Sequence, residues 1–529
     1  MPAIRAPFWS LSKTPIWLAC LAFSAVLLTL DDPGRTIDEP LDVRPGRTYL
    51  ETFAKTGLGF FQKETVDQVF RDNAEHPPLG RLLLGIASKL GEPLEILWAG
   101  GPDPLGLYVL SARLAPAFCF ALLVFRISKE AGRRHGLLAS LAAGLALPAM
   151  PRLFSHAHLG ALDLFITFFW INAYLSAEKA FDSPTPRRST ILAGFAWGLA
   201  LLTKIHAWLL PPIVLARALS RPNRLRSLSG IALGSLLGLS LFFLGWPWLW
   251  FDPIGRFSRF LGTGVERVSI QVLYFGTVYP DRLVPWHYPW FHFLTTVPVG
   301  LHLLGFWGLV RAWIGRKSQG DDLRTFAVIL YLLAIFSTNV PVYDGERLYL
   351  MAFPLWALLI GRGFSDLWLR FGERPLRRKL LALFLACQYW GVVSIHPYGL
   401  SYYNLAIGGL PGAERLGLEL AYWSESVDRR LLDRLAKVAE PKAPAALAPS
   451  LAPNQGRLLT TRALLKKGVV LDDQEGLSIT SWLVVYRREA YFNNAIRRVL
   501  ANGEIVQTQS RQGVWLSALV RIAKSDQSH

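Results

Sequence analysis

Apolar runs that approach membrane-spanning length recur along this chain, and short basic clusters separate them. A soluble domain has no use for so many such runs, whereas a bilayer demands them. Candidate spans fall at 16–30, 104–125, 136–150, 157–176, 190–203, 205–220, 228–250, 290–312, 324–338, 347–364 and 379–396, about eleven in all. The first run, 16–30, is followed by no small-residue cleavage pattern and reads as a membrane helix rather than a signal peptide. The stretch around Thr203-Lys204 reads as a break between two short spans.

The formal net charge is +18. On a soluble chain that surplus would suggest nucleic acid. Here the basic residues gather in alternate loops: Arg126 to Arg134, Lys179 to Arg188, Arg217 to Arg226, Arg311 to Arg324 and Arg370 to Lys379. The intervening short loops hold little beyond Arg152 and Arg347. This alternation follows the positive-inside rule, with the N-terminus cytoplasmic and, for an odd number of spans, the C-terminus outside. The three cysteines, Cys20, Cys119 and Cys387, lie singly in apolar segments and form no metal or disulfide pattern.

Three longer segments then face outward: 31–103, 251–289 and the tail from about 397. The division expected is a membrane part, 1–397, and a small mixed α/β domain outside the membrane, 398–529. In the tail, "EPKAPAALAPSLAPNQG" reads as a Pro/Ala-rich linker or loop. "GLSITSWLVVYRR" and "GVWLSALVRI" alternate as strands do.

Ionisable groups near membrane depth are costly, which makes them functional candidates. On the outer side they collect in five places. "TIDEPLDV" places Asp38 and Glu39 just beyond the first span; a solvated turn is the plain alternative to a general base. "EHPPLGRLLLG" sets Glu75, His76 and Arg81 around two prolines that fix the chain direction at the start of a helix leading to the second span. An exposed loop histidine is the plain reading of His76, and Glu75 is left between an acceptor and a metal.

"LLTKIHAW" carries Lys204 against the positive-inside trend, where a snorkelling lysine competes with an anion site. "LYFGTVYPDRLVPWHYPW" holds Tyr274 and His287 in a run that an interfacial aromatic belt partly explains. "VYDGERLYL" brings Tyr343, Asp344 and Glu346 beside Arg347, whose planar fork suits phosphate unless it serves only a local ion pair. Arg81, Lys204 and Arg347 together suit a lipid phosphate whose tail stays in the bilayer. No P-loop or Asp-x-Asp is present to hold a nucleotide.

These phrases, taken in order, resemble the GT-C glycosyltransferases of the protein O-mannosyltransferase and aminoarabinose transferase type, in a bacterial branch. "IDEP" is similar to the family's acidic motif, and "HPPLGR" to its His-Pro-Pro-Leu step, with Arg81 where O-mannosyltransferases carry lysine. "RLFSHAHLGALDLFITFF", "GLALLTKIHAW", "VYDGERLYL" and "HPYGLSYYN" extend the likeness across the membrane region.

The resemblance implies a mainly α, polytopic GT-C fold in the inner membrane. It implies a polyprenyl-phosphate-linked sugar as donor, a hexosyl- or pentosyltransferase acting on a protein or glycolipid outside the cytoplasm, and inversion at the anomeric carbon. It makes Asp38 the base and Glu39 its support or the acceptor's guide. His76, Arg81, Lys204, Tyr274, His287, Tyr343, Asp344 and Arg347 become binding residues. The scheme requires no metal. A lipid-sugar flippase would instead line both membrane halves with polar groups, and a non-catalytic relative would lack the reaction.

Overall fold

A computed structural model describes residues 10–71, 74–103, 106–183, 186–263, 268–315, 320–473 and 480–522. Arg316 and Lys317 of the basic loops lie outside them. Among the described residues three helices are long and apolar enough to cross a membrane: Val109–His135, Arg224–Gly245 and Pro375–Ile395. A fourth follows if Tyr288–Thr296 and Val299–Ile314, bent by 109°, count as one broken span.

Some of the other apolar runs form shorter helices, among them Thr14–Leu28 and Leu137–Ala146, while two form the longer Asp163–Asp182 and Ala352–Arg370 helices. Protein supplies much of their surroundings, which is where short or broken helices are tolerated at membrane depth. The middle of the bundle is the Ala352–Arg370 helix, every residue of which from Ala352 to Ser365 is buried. A helix apolar all round belongs in such a position. The expected break at Thr203-Lys204 is present: one helix ends at Leu201, Lys204 is extended, and a 3-10 turn, Ile205–Leu209, starts the next.

The segment 31–103, expected to face outward, is folded in its described residues, and it excludes one alternative and departs from one expectation. Asp38 and Glu39 open a helix, Asp38–Thr56, rather than a solvated turn. Acidic residues in a first helical turn complement the helix dipole. The two prolines do set a helix start, since Pro77 is extended and Pro78 is the first helical residue. That helix stops at Leu90, however, and does not lead into the span beginning at Val109. The Asp38–Thr56 and Pro78–Leu90 helices cross at Gly46 and Gly85. A Cβ on Gly46 would lie 1.8 Å from the Arg81 carbonyl oxygen, and one on Gly85 2.3 Å from the Gly46 carbonyl carbon. Only glycines permit this approach, and it sets Arg81 against the Asp38–Thr56 helix.

Near the C-terminus, among the described residues, five strands run in the order Leu471–Asp472, Ala445–Ala448, Trp482–Tyr486, Val514–Arg521, Glu504–Arg511. The first two pairings are parallel and the last two antiparallel. The two strands expected from alternation are both here. The Pro/Ala-rich linker is not a linker, because Ala445–Ala448 inside it is a buried inner strand. Ala445 and Leu447 face a core shared with Leu431 and Leu435, while Ala446 and Ala448 face one shared with Ile496 and Val499. Alanine has low β-propensity, so the sequence conceals a strand that small side chains let pack on both faces.

Candidate active site

The start of the Asp38–Thr56 helix meets the 344–347 turn and the N-terminus of the Asp163–Asp182 helix. Arg347 is the hub. Its Nη2 donates to Asp38, its Nε to Asp163 Oδ2 at 2.9 Å, and its Nη1 to Asp344 Oδ2 at 3.2 Å. Lys204 Nζ donates to the other Asp163 oxygen at 2.6 Å. One turn along its helix from Asp38, Asp42 accepts from Arg81 Nε at 3.0 Å, and Arg81 Nη2 reaches Glu75 at 2.7 Å. The turn itself has Asp344 and Gly345 both at positive φ. Gly345 is further constrained, because a Cβ there would come within 2.5 Å of Arg152 Nη1.

The three expected cations therefore share one region, but none is an empty anion receptor. Arg81, Lys204 and Arg347 face five carboxylates: Asp38, Asp42, Glu75, Asp163 and Asp344. A buried cation without a counter-charge is too costly to stand alone. Glu75, left open between acceptor and metal, is an ion-pair partner of Arg81. Accessibility distinguishes the rest. The Asp38 side chain is 24% exposed and Arg347 11%, whereas Asp163 is 1%. Among the partners of Arg347, Asp38 is the carboxylate most open to solvent, while Glu75 beside Arg81 is the network's other exposed end.

His76 lies within the field of Arg81, Lys204, Arg347 and Asp163. Burial first, then those three cations, hold its imidazole well below the usual histidine range, so the ring is neutral at pH 7. Its Nδ1 is buried with no hydrogen-bond partner among the described residues. Burial, reinforced by the like charge of Asp38 and opposed by the Arg81 guanidinium, pushes the Asp42 carboxyl up to about 6.

This carries a pH signature. Between the ordinary 3.8 and about 6 the folded chain keeps a proton that the unfolded chain has released. Asp42 therefore contributes stability at low pH and loses it as pH rises through that window. Asp42→Asn should flatten this component of thermal stability measured from about pH 4 to about pH 6.5.

Glu39 is placed differently from its neighbour. It is fully buried, and both oxygens are taken by Arg113, at 2.7 and 2.9 Å, and by the amides of Gly160 and Thr36. Burial pushes its pKa up, but Arg113 and those amides outweigh it and hold the carboxylate below its usual range. Glu39 anchors the helix start, with its oxygens turned to Arg113 and the backbone amides. Glu39→Gln leaves Arg113 buried without its charge, at a cost of about 3–5 kcal/mol. The expected result is a lower unfolding temperature and less folded protein, with turnover per folded molecule nearly retained.

Tyr274 and His287 pair with each other at 2.8 Å, away from the carboxylates. They join an aromatic layer with Tyr288 and His292, which reaches the 344–347 turn where Tyr288 Oη accepts from the Gly345 amide at 3.0 Å. Their link to the cluster is thus indirect. Tyr343 lies nearer, its ring 5.9 Å from the Arg347 guanidinium carbon.

Several contributors were not read from the sequence. Asp163 interrupts an apolar run, a signal that intramembrane charge alone would have supplied. Asp42 sits four residues from Asp38 on one helical face. Trp423 stacks 4.1 Å from the Arg347 guanidinium, and Arg488 pairs with Asp344 at 2.9 Å. Both come from the C-terminal part of the chain, and no local pattern marks them. Arg152, noted only as an outer-loop charge, is buried and pairs with Glu346 at 2.7 Å.

Residues 106–248 match the family model described as dolichyl-phosphate-mannose-protein mannosyltransferase. That match covers a part of the membrane region, and the fold adds a second likeness over nearly the whole chain. The fold is similar to that of ArnT from Cupriavidus metallidurans in the apo state, with a TM-score of 0.53 and 15% identity over 97% of this chain and 98% of that one. The same protein bound to undecaprenyl phosphate matches with a TM-score of 0.53 and 16% identity over the same shares. No curated protein matches in sequence.

Proposed function

We propose that this chain is an inverting membrane glycosyltransferase that takes a sugar from a polyprenyl-phosphate donor and places it on a hydroxyl of a protein or glycolipid outside the cytoplasm. The observation that carries the reading is the contact of a partly exposed Asp38 with Arg347 in a largely buried charge network. The binding of undecaprenyl phosphate by ArnT, whose fold this chain shares, agrees with it.

In this reading the donor phosphate competes with Asp38 for the Arg347 fork. Guanidinium binds phosphate oxygens bidentately, so the exchange keeps the buried cation paired. Asp38, released beside the reacting centre, accepts the acceptor's hydroxyl proton as the oxygen attacks the anomeric carbon. The bond from that carbon to the phosphate oxygen breaks on the opposite side. The departing phosphate monoester keeps both electrons, and Arg347 and its neighbours stabilise the charge. Neutral His76, with an unpartnered ring nitrogen, is placed to hydrogen-bond the donor head. Residues 1–397 form the membrane part in this reading, and 398–529 lie outside it on the side of the site, where Trp423 and Arg488 brace Arg347 and Asp344.

The test is incubation of purified protein with a panel of polyprenyl-phosphate sugars and both acceptor classes, followed by mass spectrometry. One donor should yield a glycosylated acceptor and free polyprenyl phosphate. Transport of intact lipid-linked sugar across vesicles with no product would replace the enzyme by a flippase.

A further inference from the structure

A cavity opens toward the other end of the helices that reach this site. It has a volume of about 570 Å³ and sits between the Asp163–Asp182, Pro186–Leu201, Leu210–Leu219 and Arg224–Gly245 helices. Asp163, at one end of its 20-residue helix, belongs to the charge cluster, whereas Ala177 and Phe181 line the cavity near the other end. At 1.5 Å per residue they are on the order of 20–27 Å further along the helix. The cavity therefore opens at the opposite end of the bundle from Asp38.

Its walls and rim differ in chemistry. Ala177, Trp197, Leu210 and Val214 make an apolar interior. The Arg224–Gly245 helix on one side is apolar and little buried by the protein, so it faces hydrocarbon. Ile191, Leu192 and Phe195 beside it are exposed too. Arg187, Arg221 and Arg226 stand at the rim with Asn223 and Ser227.

The local carboxylates do not balance this charge. Asp182 pairs with Arg221 at 3.0 Å, and Glu178 and Asp182 flank Arg217 at 3.5 and 3.7 Å. Glu178 is also shared with Arg324. Arg187 and Arg226 are exposed, with no carboxylate partner shown among the described residues.

The positive-inside rule accounts for arginines at this boundary, but it does not require a crevice beneath them. An open apolar volume of this size matches a ligand site, and left unfilled it forfeits the contacts of its lining. We propose that the crevice binds an anionic phospholipid of the leaflet at this end, with the phosphate at Arg187 and Arg226 and one acyl chain between the helices. Charge complementarity selects the head group, and the lipid-facing walls admit the chain from the bilayer.

Native mass spectrometry of the purified full-length protein tests this with phosphatidylglycerol and phosphatidylcholine of equal chain length. Phosphatidylglycerol should remain bound at collision energies that strip phosphatidylcholine. The Arg187→Gln/Arg226→Gln double variant, whose changes are both on exposed side chains, should bind phosphatidylglycerol about tenfold more weakly or worse and unfold at the wild-type temperature. Equal retention of the two lipids, or undiminished phosphatidylglycerol binding by the double variant, would overturn the proposal.

Discussion

Asp38→Asn should lower sugar transfer by about 10²–10⁴-fold, the usual contribution of a positioned base, while donor binding holds or strengthens. Asparagine keeps the size of the side chain and a carbonyl oxygen for Arg347, so the packing around the helix start is preserved. It cannot take up a proton. It also removes one of the three carboxylates that compete for Arg347, which makes the site more attractive to a phosphate. The prediction thus has two opposed parts, a lost rate and a retained or improved donor affinity. Asp38 is partly exposed, so a drop in folding would not account for the loss. Turnover at the wild-type rate would remove Asp38 as the proton acceptor.

Arg347→Gln should be the most damaging single change in the cluster. It leaves Asp38, Asp163 and Asp344 without their shared cation. Lys204 still serves Asp163 and Arg488 still serves Asp344, so the loss falls short of three broken pairs. Breaking a buried pair costs about 3–5 kcal/mol, and a clear fall in unfolding temperature is expected together with loss of donor binding.

Arg347→Lys separates these effects. A lysine restores the charge, and with it most of the stability. It has neither the planar fork for a phosphate nor the flat face that stacks on Trp423. The Lys variant should therefore fold well and still bind donor poorly. A Gln variant with wild-type stability and turnover would show that Arg347 is not the hub.

The sequence made legible which groups matter more readily than what holds them. Asp38, Arg81, Lys204 and Arg347 stood out because charge at hydrocarbon boundaries is expensive, and the fold does gather them. Asp344, three residues from Arg347, was read beside it, but the counter-ions Asp42 and Asp163 were harder to see, since they come from separate elements whose convergence is a tertiary fact. Glu39 and Asp38 are adjacent in sequence, yet a helix start turns one into Arg113 and the other toward Arg347.

Tyr274 and His287 were motif-rich but join the site only through other aromatics. The helices obeyed hydropathy in position and departed from it in length, because a span packed against protein can be short. Ala445–Ala448 escaped notice because alanine announces burial in neither a helix nor a sheet. Trp423 and Arg488 could not be read at all: nothing local says that a C-terminal residue will close over a site built near residue 38.

The most direct measurement follows free polyprenyl phosphate and glycosylated acceptor together, by mass spectrometry, for wild type and Asp38→Asn at saturating donor. The account predicts stoichiometric release and transfer by the wild-type protein, and neither above background by the variant although it still binds donor. Equal product from both proteins, or no product from the wild type with any polyprenyl-phosphate sugar, would contradict it.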